Sequence, residues 1–164
     1  CVITFGPDPA DQQWTPHEVF HLFDVSGIRY QWVDNPLPAI WTKFLFIAPF
    51  GLVTACFNKN IGQVRDSSEL SMMTLSVMQE ILALAQKSGV SLSDSALADT
   101  LITVKNFPAE TQTSFQRDFA DPGKPDERDV LGGTIIRLGR LYGVPTPVTE
   151  DLMAHLQRQK KLDI

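Results

Sequence analysis

The segment NPLPAIWTKFLFIAPFGLVTACFN, residues 35–58, has a single charged side chain, that of Lys43. Its apolar composition predicts a helix over about Leu37–Phe57, which Pro49 should kink because that residue lacks a backbone donor. The uncharged run, residues 44–57, is shorter than the roughly 20 residues that cross a bilayer. The segment therefore predicts a buried core helix and no membrane partner.

Lys43 stands out because an ammonium group is costly to bury without a partner. At 100° per residue it shares one side of the helix with Ile47, Phe50 and Gly51, and the glycine should leave a notch there. Two interpretations stay open. Either Lys43 reaches water from the early turns of the helix, or it lies in a cleft and protonates a developing oxyanion.

Four side chains are candidate partners in such a cleft, and each also has an ordinary structural explanation. Glu80 lies inside a predicted helix, where a glutamate can be solvated or hydrogen-bonded. Glu127 lies in the first turn of another predicted helix, where an acid stabilises the helix dipole. Ser114 and Asp118 lie in a short turn, where polar residues can be caps. The sequence contains no G-x-G-x-x-G, P-loop, paired C-x-x-C or G-x-S-x-G motif.

The composition limits the class of protein. The 164 residues are 43% hydrophobic, which is enough for one core and a small additional unit. A net charge of −5 disfavours nucleic-acid partners, and we expect a soluble, cytoplasmic protein. Cys1 and Cys56 have neither disulfide-framework nor metal-ligand spacing, and the three histidines do not converge on them, so no metal site is predicted.

Residues 1–34 have the pattern strand, helix, strand. CVITFG, at residues 1–6, predicts a buried strand and a turn, and IRYQWV, at residues 28–33, predicts a second strand. Between them TPHE, at residues 15–18, opens a helix with a threonine cap, a first-turn proline and a glutamate that can close a capping box. Because the chain begins with cysteine and not methionine, we expect a piece of a longer protein.

From residue 35 onward the pattern is helical. Predicted helices start at a cap of Ser67 or Ser68, at Ser93 or Asp94, in TSFQRDFA (residues 113–120), in ERDVLGGTIIRLGRLYG (residues 127–143) and at Thr149. The methionines of the helix that starts at Ser67 or Ser68 are expected in the core. Each glycine of the pair Gly132 and Gly133 costs a helix about 1 kcal/mol, which indicates close approach by another helix or a ligand.

Three segments in this order resemble the C-terminal domain of the ketopantoate reductase (2-dehydropantoate 2-reductase) family: IWTKF, QEILALAQKSGV and TSFQRDFADPGKPDERDVLGGTIIRLGRLYGVPTPVTEDL. The resemblance covers roughly residues 40–156, and its most specific parts are GKPDE, similar to the family's GRPTE, and GVPTP. It implies a mainly α-helical bundle of the 6-phosphogluconate dehydrogenase C-terminal type. Residues 35–164 would form this substrate-binding and dimerisation domain, and residues 1–34 would be the tail of an upstream Rossmann domain.

The resemblance also implies an activity, the NADPH-dependent reduction of 2-dehydropantoate to pantoate in pantothenate biosynthesis. Lys43 would be the general acid, Glu127 would set that lysine and the substrate, and Ser114 would hold the substrate carboxylate. NADPH would be bound mainly by the upstream domain, so this chain alone would be inactive. The implied partners are a small 2-oxo acid, the protein's own Rossmann domain and, as an open possibility, a second copy in a homodimer.

Three residues depart from the family pattern, because Ile47, Gly51 and Gly132 stand where members commonly have asparagine. Loss of these amides favours a more apolar or larger oxo acid, or a paralogue without activity. A hypothesis of another class is a helical dimerisation module without catalysis. A likeness of architecture alone is a further alternative, since fold does not specify function.

Overall fold

The computed structural model describes residues 2–8, 16–121 and 123–162. The described part is mainly helical, which confirms the predicted fold class, with eight α-helices, one two-stranded sheet and one π-helical turn. The elements, in chain order, are β1 Ile3–Phe5, α1 His17–Val25, β2 Tyr30–Trp32, α2 Leu37–Phe57, α3 Ile61–Asp66, α4 Ser68–Lys87, α5 Ala96–Lys105, α6 Ser114–Ala120, the π-turn Asp129–Gly133, α7 Thr134–Tyr142 and α8 Pro147–Leu162. The chain divides into two compact units, Cys1–Trp41 and Thr42–Ile164.

The first unit has the predicted order of strand, helix and strand. β1 and β2 are parallel, with Ile3 opposite Tyr30, and the ring of Phe5 lies 5.8 Å from that of Phe20 on α1. The expectation that β1 is buried is wrong, since Ile3 is 42% exposed. Each strand is only three residues long and has a neighbouring strand on one side only in the described sheet, so little protein surrounds it. The cap predicted at Thr15 lies outside the described residues.

Helix α2 has the predicted bounds and is the centre of the second unit. Leu45 and all residues from Ala48 to Cys56 are buried. By length and composition α2 could also cross a membrane, but 56% of its most apolar 18-residue window is buried within the protein. This burial confirms the prediction of a core helix.

Around α2, helix α4 packs against α3, α7 and α8. Ser67 caps α4 as predicted, because its hydroxyl accepts the backbone N–H of Leu70 at 3.3 Å. The prediction that the α4 methionines belong to the core holds for Met78, which is fully buried, holds in part for Met73, which is half-buried, and is wrong for Met72, which is 62% exposed. Met78 and Met72 are six positions apart, so their side chains point about 120° apart around the helix axis.

Other predicted helix starts need correction. Helix α5 begins after Ser95, and the hydroxyl of Ser93 instead accepts the backbone N–H of Ser95 in the preceding turn. Thr149 lies inside the first turn of α8, where its hydroxyl donates to Glu80 and does not cap the helix. Helix α3 was not predicted, because its six residues are too few for a periodic pattern. Its one sequence signal is a capping box between Asn60 and Gln63.

Candidate functional site

Lys43 lies in the second turn of α2, and its side chain is exposed. Within residues 2–8, 16–121 and 123–162, the lysine side chain makes no hydrogen bond, ion pair or ring contact. This chain therefore leaves the ammonium group in water, in agreement with the first of the two interpretations from the sequence. The same placement leaves the amine accessible to a ligand.

Gly51, two turns after Lys43, brings three structural elements together. A Cβ atom on Gly51 would lie 3.1 Å from Cδ1 of Leu131 in the π-turn and 3.4 Å from Cδ1 of Phe115 in α6. The expected notch is therefore absent, because these two side chains fill the space beside the glycine. The contact places α2 directly against the elements next to Ser114 and Glu127, and Lys43 is about 12 Å along the helix from this point.

Ser114 is the first residue of α6, and its side chain is exposed. The expectation that it caps the helix is wrong, since Thr113 accepts the backbone N–H of Gln116 at 3.1 Å. The Thr113 hydroxyl also lies 2.8 Å from the hydroxyl of Thr54 on α2. The Thr54 hydroxyl in turn donates to the backbone carbonyl of Phe50 at 2.6 Å. These bonds anchor the start of α6 on α2, and they leave the hydroxyl of Ser114 accessible to a ligand.

Asp118 was the other residue expected to cap this turn, and its position is different. It lies in the second half of α6, where its carboxylate is 3.5 Å from Lys124 Nζ. The pair is partly exposed, so it stabilises the fold little.

Glu127 lies just before the π-turn with an exposed side chain, and its carbonyl accepts the backbone N–H of Leu131 at 2.9 Å. Within the described residues, no hydrogen bond or ion pair joins the side chains of Glu127, Ser114 and Lys43. The assignment of these three residues to one site therefore stays a prediction.

Asp126, which the sequence did not single out, is the buried acid of this segment, with 6% of its side chain exposed. Burial raises the pKa of its carboxyl, but the hydrogen bonds from Arg128 and the charges of Arg128 and Lys160 outweigh burial and hold that pKa below 3.8. The only signal in the sequence was the run of charges in GKPDERD, which does not say which residues pair.

Glu80 has a structural role, in which its carboxylate joins two helices, and it is not a partner of Lys43. Its buried carboxylate accepts the backbone N–H groups of Val148 at 2.8 Å and Thr149 at 3.2 Å, and the Thr149 hydroxyl at 2.5 Å. Burial raises the pKa of Glu80, and the three hydrogen bonds only partly counteract this effect. The carboxylate thus binds the start of α8 to α4.

Gly132 confirms the close approach that the glycine pair predicted. A Cβ atom there would overlap Sδ of Met153 on α8 and would lie 3.2 Å from Cδ2 of Leu52 on α2. The segment is helical as predicted, and it begins with a π-helical turn before α7. Such turns are frequent at functional sites.

Metal ions and dinucleotides each need a recognisable set of residues to bind them. Among the described residues, no group of three or more His, Cys, Asp or Glu side chains could hold a metal ion. The sequence has no glycine-rich turn that could bind the phosphates of a dinucleotide. The segments that meet at Gly51 instead carry exposed groups that include the amine of Lys43, the hydroxyl of Ser114 and the carboxylate of Glu127, a set that suits a small anionic ligand.

Comparison with known proteins identifies the family. The family model described as "Ketopantoate reductase PanE/ApbA C terminal" matches residues 35–160. The chain belongs to the ketopantoate reductase family. It is similar to the 2-dehydropantoate 2-reductase of Mycobacterium tuberculosis, with 28% identity over 115 residues, or 70% of this chain and 38% of that protein. The chain spans about two fifths of the length of the curated relatives it matches first.

Solved structures share the fold of this ketopantoate reductase domain. The dimeric ketopantoate reductase of Staphylococcus aureus has a TM-score of 0.79 and 19% identity, over 92% of this chain and 53% of that one. The ternary structure of D-mandelate dehydrogenase with NADH and anilino(oxo)acetate has a TM-score of 0.82 and 17% identity, over 99% of this chain and 68% of that one. At these identities, the likeness establishes the fold alone.

Proposed function

We propose that this chain is the substrate-binding part of an NADPH-dependent reductase of 2-oxo acids, and that a Rossmann domain preceding residue 35 completes the enzyme. Membership of the ketopantoate reductase family supports this proposal. The observation that carries it is the contact at Gly51, since α2 and α6, which carry the exposed Lys43 and Ser114, meet there beside the turn that follows the exposed Glu127.

In this mechanism each side chain has one task. The Ser114 hydroxyl donates to the substrate carboxylate, and the Lys43 ammonium donates its proton to the oxygen of the neighbouring carbonyl. Glu127 accepts a hydrogen bond from that ammonium and orients it. NADPH, when bound, supplies the hydride that the carbonyl carbon takes up. The product is a 2-hydroxy acid, and Lys43 then regains a proton from water.

Without a domain that binds the dinucleotide, the chain should be inactive by itself. We further propose a cytoplasmic homodimer, by analogy with the dimeric enzyme of S. aureus. Analytical ultracentrifugation of the full-length protein tests the assembly, and a monomer at micromolar concentration would contradict it.

The Lys43→Ala variant of the full-length protein tests the proposed mechanism. NADPH oxidation is measured with a panel of 2-oxo acids, and Lys59→Ala, which removes another exposed lysine, is the control. We expect kcat to fall at least about 100-fold for Lys43→Ala, the usual contribution of a general acid, and to stay unchanged for the control. Equal activity of both variants, or a wild-type protein that reduces no 2-oxo acid, would contradict the proposal.

A second candidate is a reductase whose substrate is larger and more apolar than 2-dehydropantoate. Two apolar side chains near Gly51 favour it: Ile47, one turn after Lys43, is 37% exposed, and Val130, next to Leu131, is 63% exposed. Ile47→Asn should lower kcat/KM for aromatic 2-oxo acids about tenfold and raise it for 2-dehydropantoate. Ile102→Asn, at an exposed position of α5, is the control, and an unchanged preference would exclude this candidate.

A further inference from the structure

The segment that carries Glu127 is held by the two residues on either side of it. Oδ1 of Asp126 accepts both the backbone N–H of Arg128 at 3.1 Å and its side-chain Nε–H at 2.8 Å. The other carboxylate oxygen of Asp126 lies 3.6 Å from Nζ of Lys160 on α8. Because these bonds lie on both sides of Glu127 in sequence, they restrict its backbone directly.

The same two cations reach α6 through Phe119. Lys160 Nζ donates to the carbonyl of Phe119 at 3.4 Å and lies 5.2 Å from the centroid of its ring. The guanidinium carbon of Arg128 lies 5.6 Å from that centroid. Phe119 and Ser114 belong to one seven-residue helix and are about 7.5 Å apart along its axis. The cluster therefore links the element that carries Glu127 to the element that carries Ser114.

Burial distinguishes this cluster from ordinary surface pairs. The exposed fractions of the side chains are 6% for Asp126, 20% for Lys160 and 24% for Arg128. In comparison, the nearby pair of Lys124 and Asp121 is separated by 3.9 Å with both partners about half exposed. Partly buried ion pairs with short hydrogen bonds are less screened by solvent, so they hold their geometry more firmly.

We infer that Asp126 is a positioning residue that fixes the backbone at Glu127 relative to α6, and thus aligns Glu127 and Ser114 on one substrate. This inference rests on the proposed function. Asp126 itself is too buried to be the acid that meets the substrate. Its effect on the reaction passes through Glu127.

A double-mutant cycle in the full-length protein tests the inference. Asp126→Asn should lower kcat at least tenfold while the Kd for NADPH stays the same, and Asp121→Asn, the matched exposed control, should change neither. In a Glu127→Gln background, Asp126→Asn should cause no further loss, because its action passes through Glu127. A full additional loss in that background would overturn the inference, as would wild-type kcat for Asp126→Asn alone.

Amide hydrogen exchange gives a readout that does not depend on activity. Asp126→Asn should speed exchange at Arg128 and Leu131 at least tenfold and leave α5 unchanged, whereas Asp121→Asn should have no effect on either. Unchanged exchange at Arg128 and Leu131 would overturn the inference even if the enzyme is active. A wild-type protein that reduces no 2-oxo acid would refute the proposed function, and the exchange experiment would still decide whether Asp126 holds this segment.

Discussion

The buried carboxylate of Glu80 provides the sharpest test of how the second unit is held together. In Glu80→Gln, the amide oxygen can still accept the N–H of Val148, at the position that now gives 2.8 Å. The amide nitrogen would then face the backbone N–H of Thr149, which loses its acceptor, whereas the Thr149 hydroxyl can rotate and accept. The variant therefore leaves one buried donor unpaired.

The expected loss follows from these contacts. An unpaired buried donor costs about 1–3 kcal/mol. We therefore expect the free energy of unfolding to fall by about 1–3 kcal/mol. For a domain of this size, that corresponds to a drop in Tm of about 2–12 °C.

The pH dependence has a definite sign. Since the pKa of Glu80 is raised above 4.5 in the folded protein, its contribution to stability is full below pH 4.5 and decreases as the pH rises through the folded pKa. The difference in the free energy of unfolding between wild type and Glu80→Gln should thus be larger at pH 4 than at pH 7. Urea unfolding at both pH values measures it, with Glu110→Gln, an exposed loop residue, as control. A loss below 0.5 kcal/mol, or a difference that grows with pH, would refute the reasoning.

Two further predictions concern the core. Gly62→Ala should lower the free energy of unfolding by about 1–3 kcal/mol in a thermal melt, because the new Cβ would lie 2.7 Å from the backbone oxygen of Ala109, which cannot move easily; an unchanged Tm would contradict this. In a Cys1→Ser background at pH 8, Cys56 should react with a thiol reagent on the order of 100-fold more slowly when the protein is folded than when it is unfolded, because the thiol is buried and its pKa is raised to about 11. Equal rates would show that the helix end at Cys56 opens readily.

Much of the fold could be predicted from local patterns. The predicted bounds of α2 were correct because a long apolar run between Pro36 and Asn58 leaves few other places where the helix could begin or end. The close approach at Gly132 was predictable because glycine is unfavourable inside a helix, so its presence needs a packing reason. Helix caps were less predictable, since Thr113 and Ser114 are adjacent and both suit the position, and only the bond to Thr54 favours the first.

The candidate site depended on contacts between distant parts of the chain, which local patterns do not contain. No feature of the sequence shows that Leu131 and Phe115 fill the space beside Gly51. The pairing of Asp126 with Lys160 joins residues 34 positions apart, and an exposed charge in the sequence looks the same as a buried one. The resemblance to the reductases could name Lys43, Ser114 and Glu127, but it could not give their geometry.

A crystal structure of the full-length protein with NADP⁺ and a bound 2-hydroxy acid tests the central claim most directly. We predict that Nζ of Lys43 lies within about 3.2 Å of the substrate hydroxyl oxygen and also of a carboxylate oxygen of Glu127, with the Ser114 hydroxyl on the substrate carboxylate. A ligand bound elsewhere, with Lys43 still surrounded by water, would contradict it.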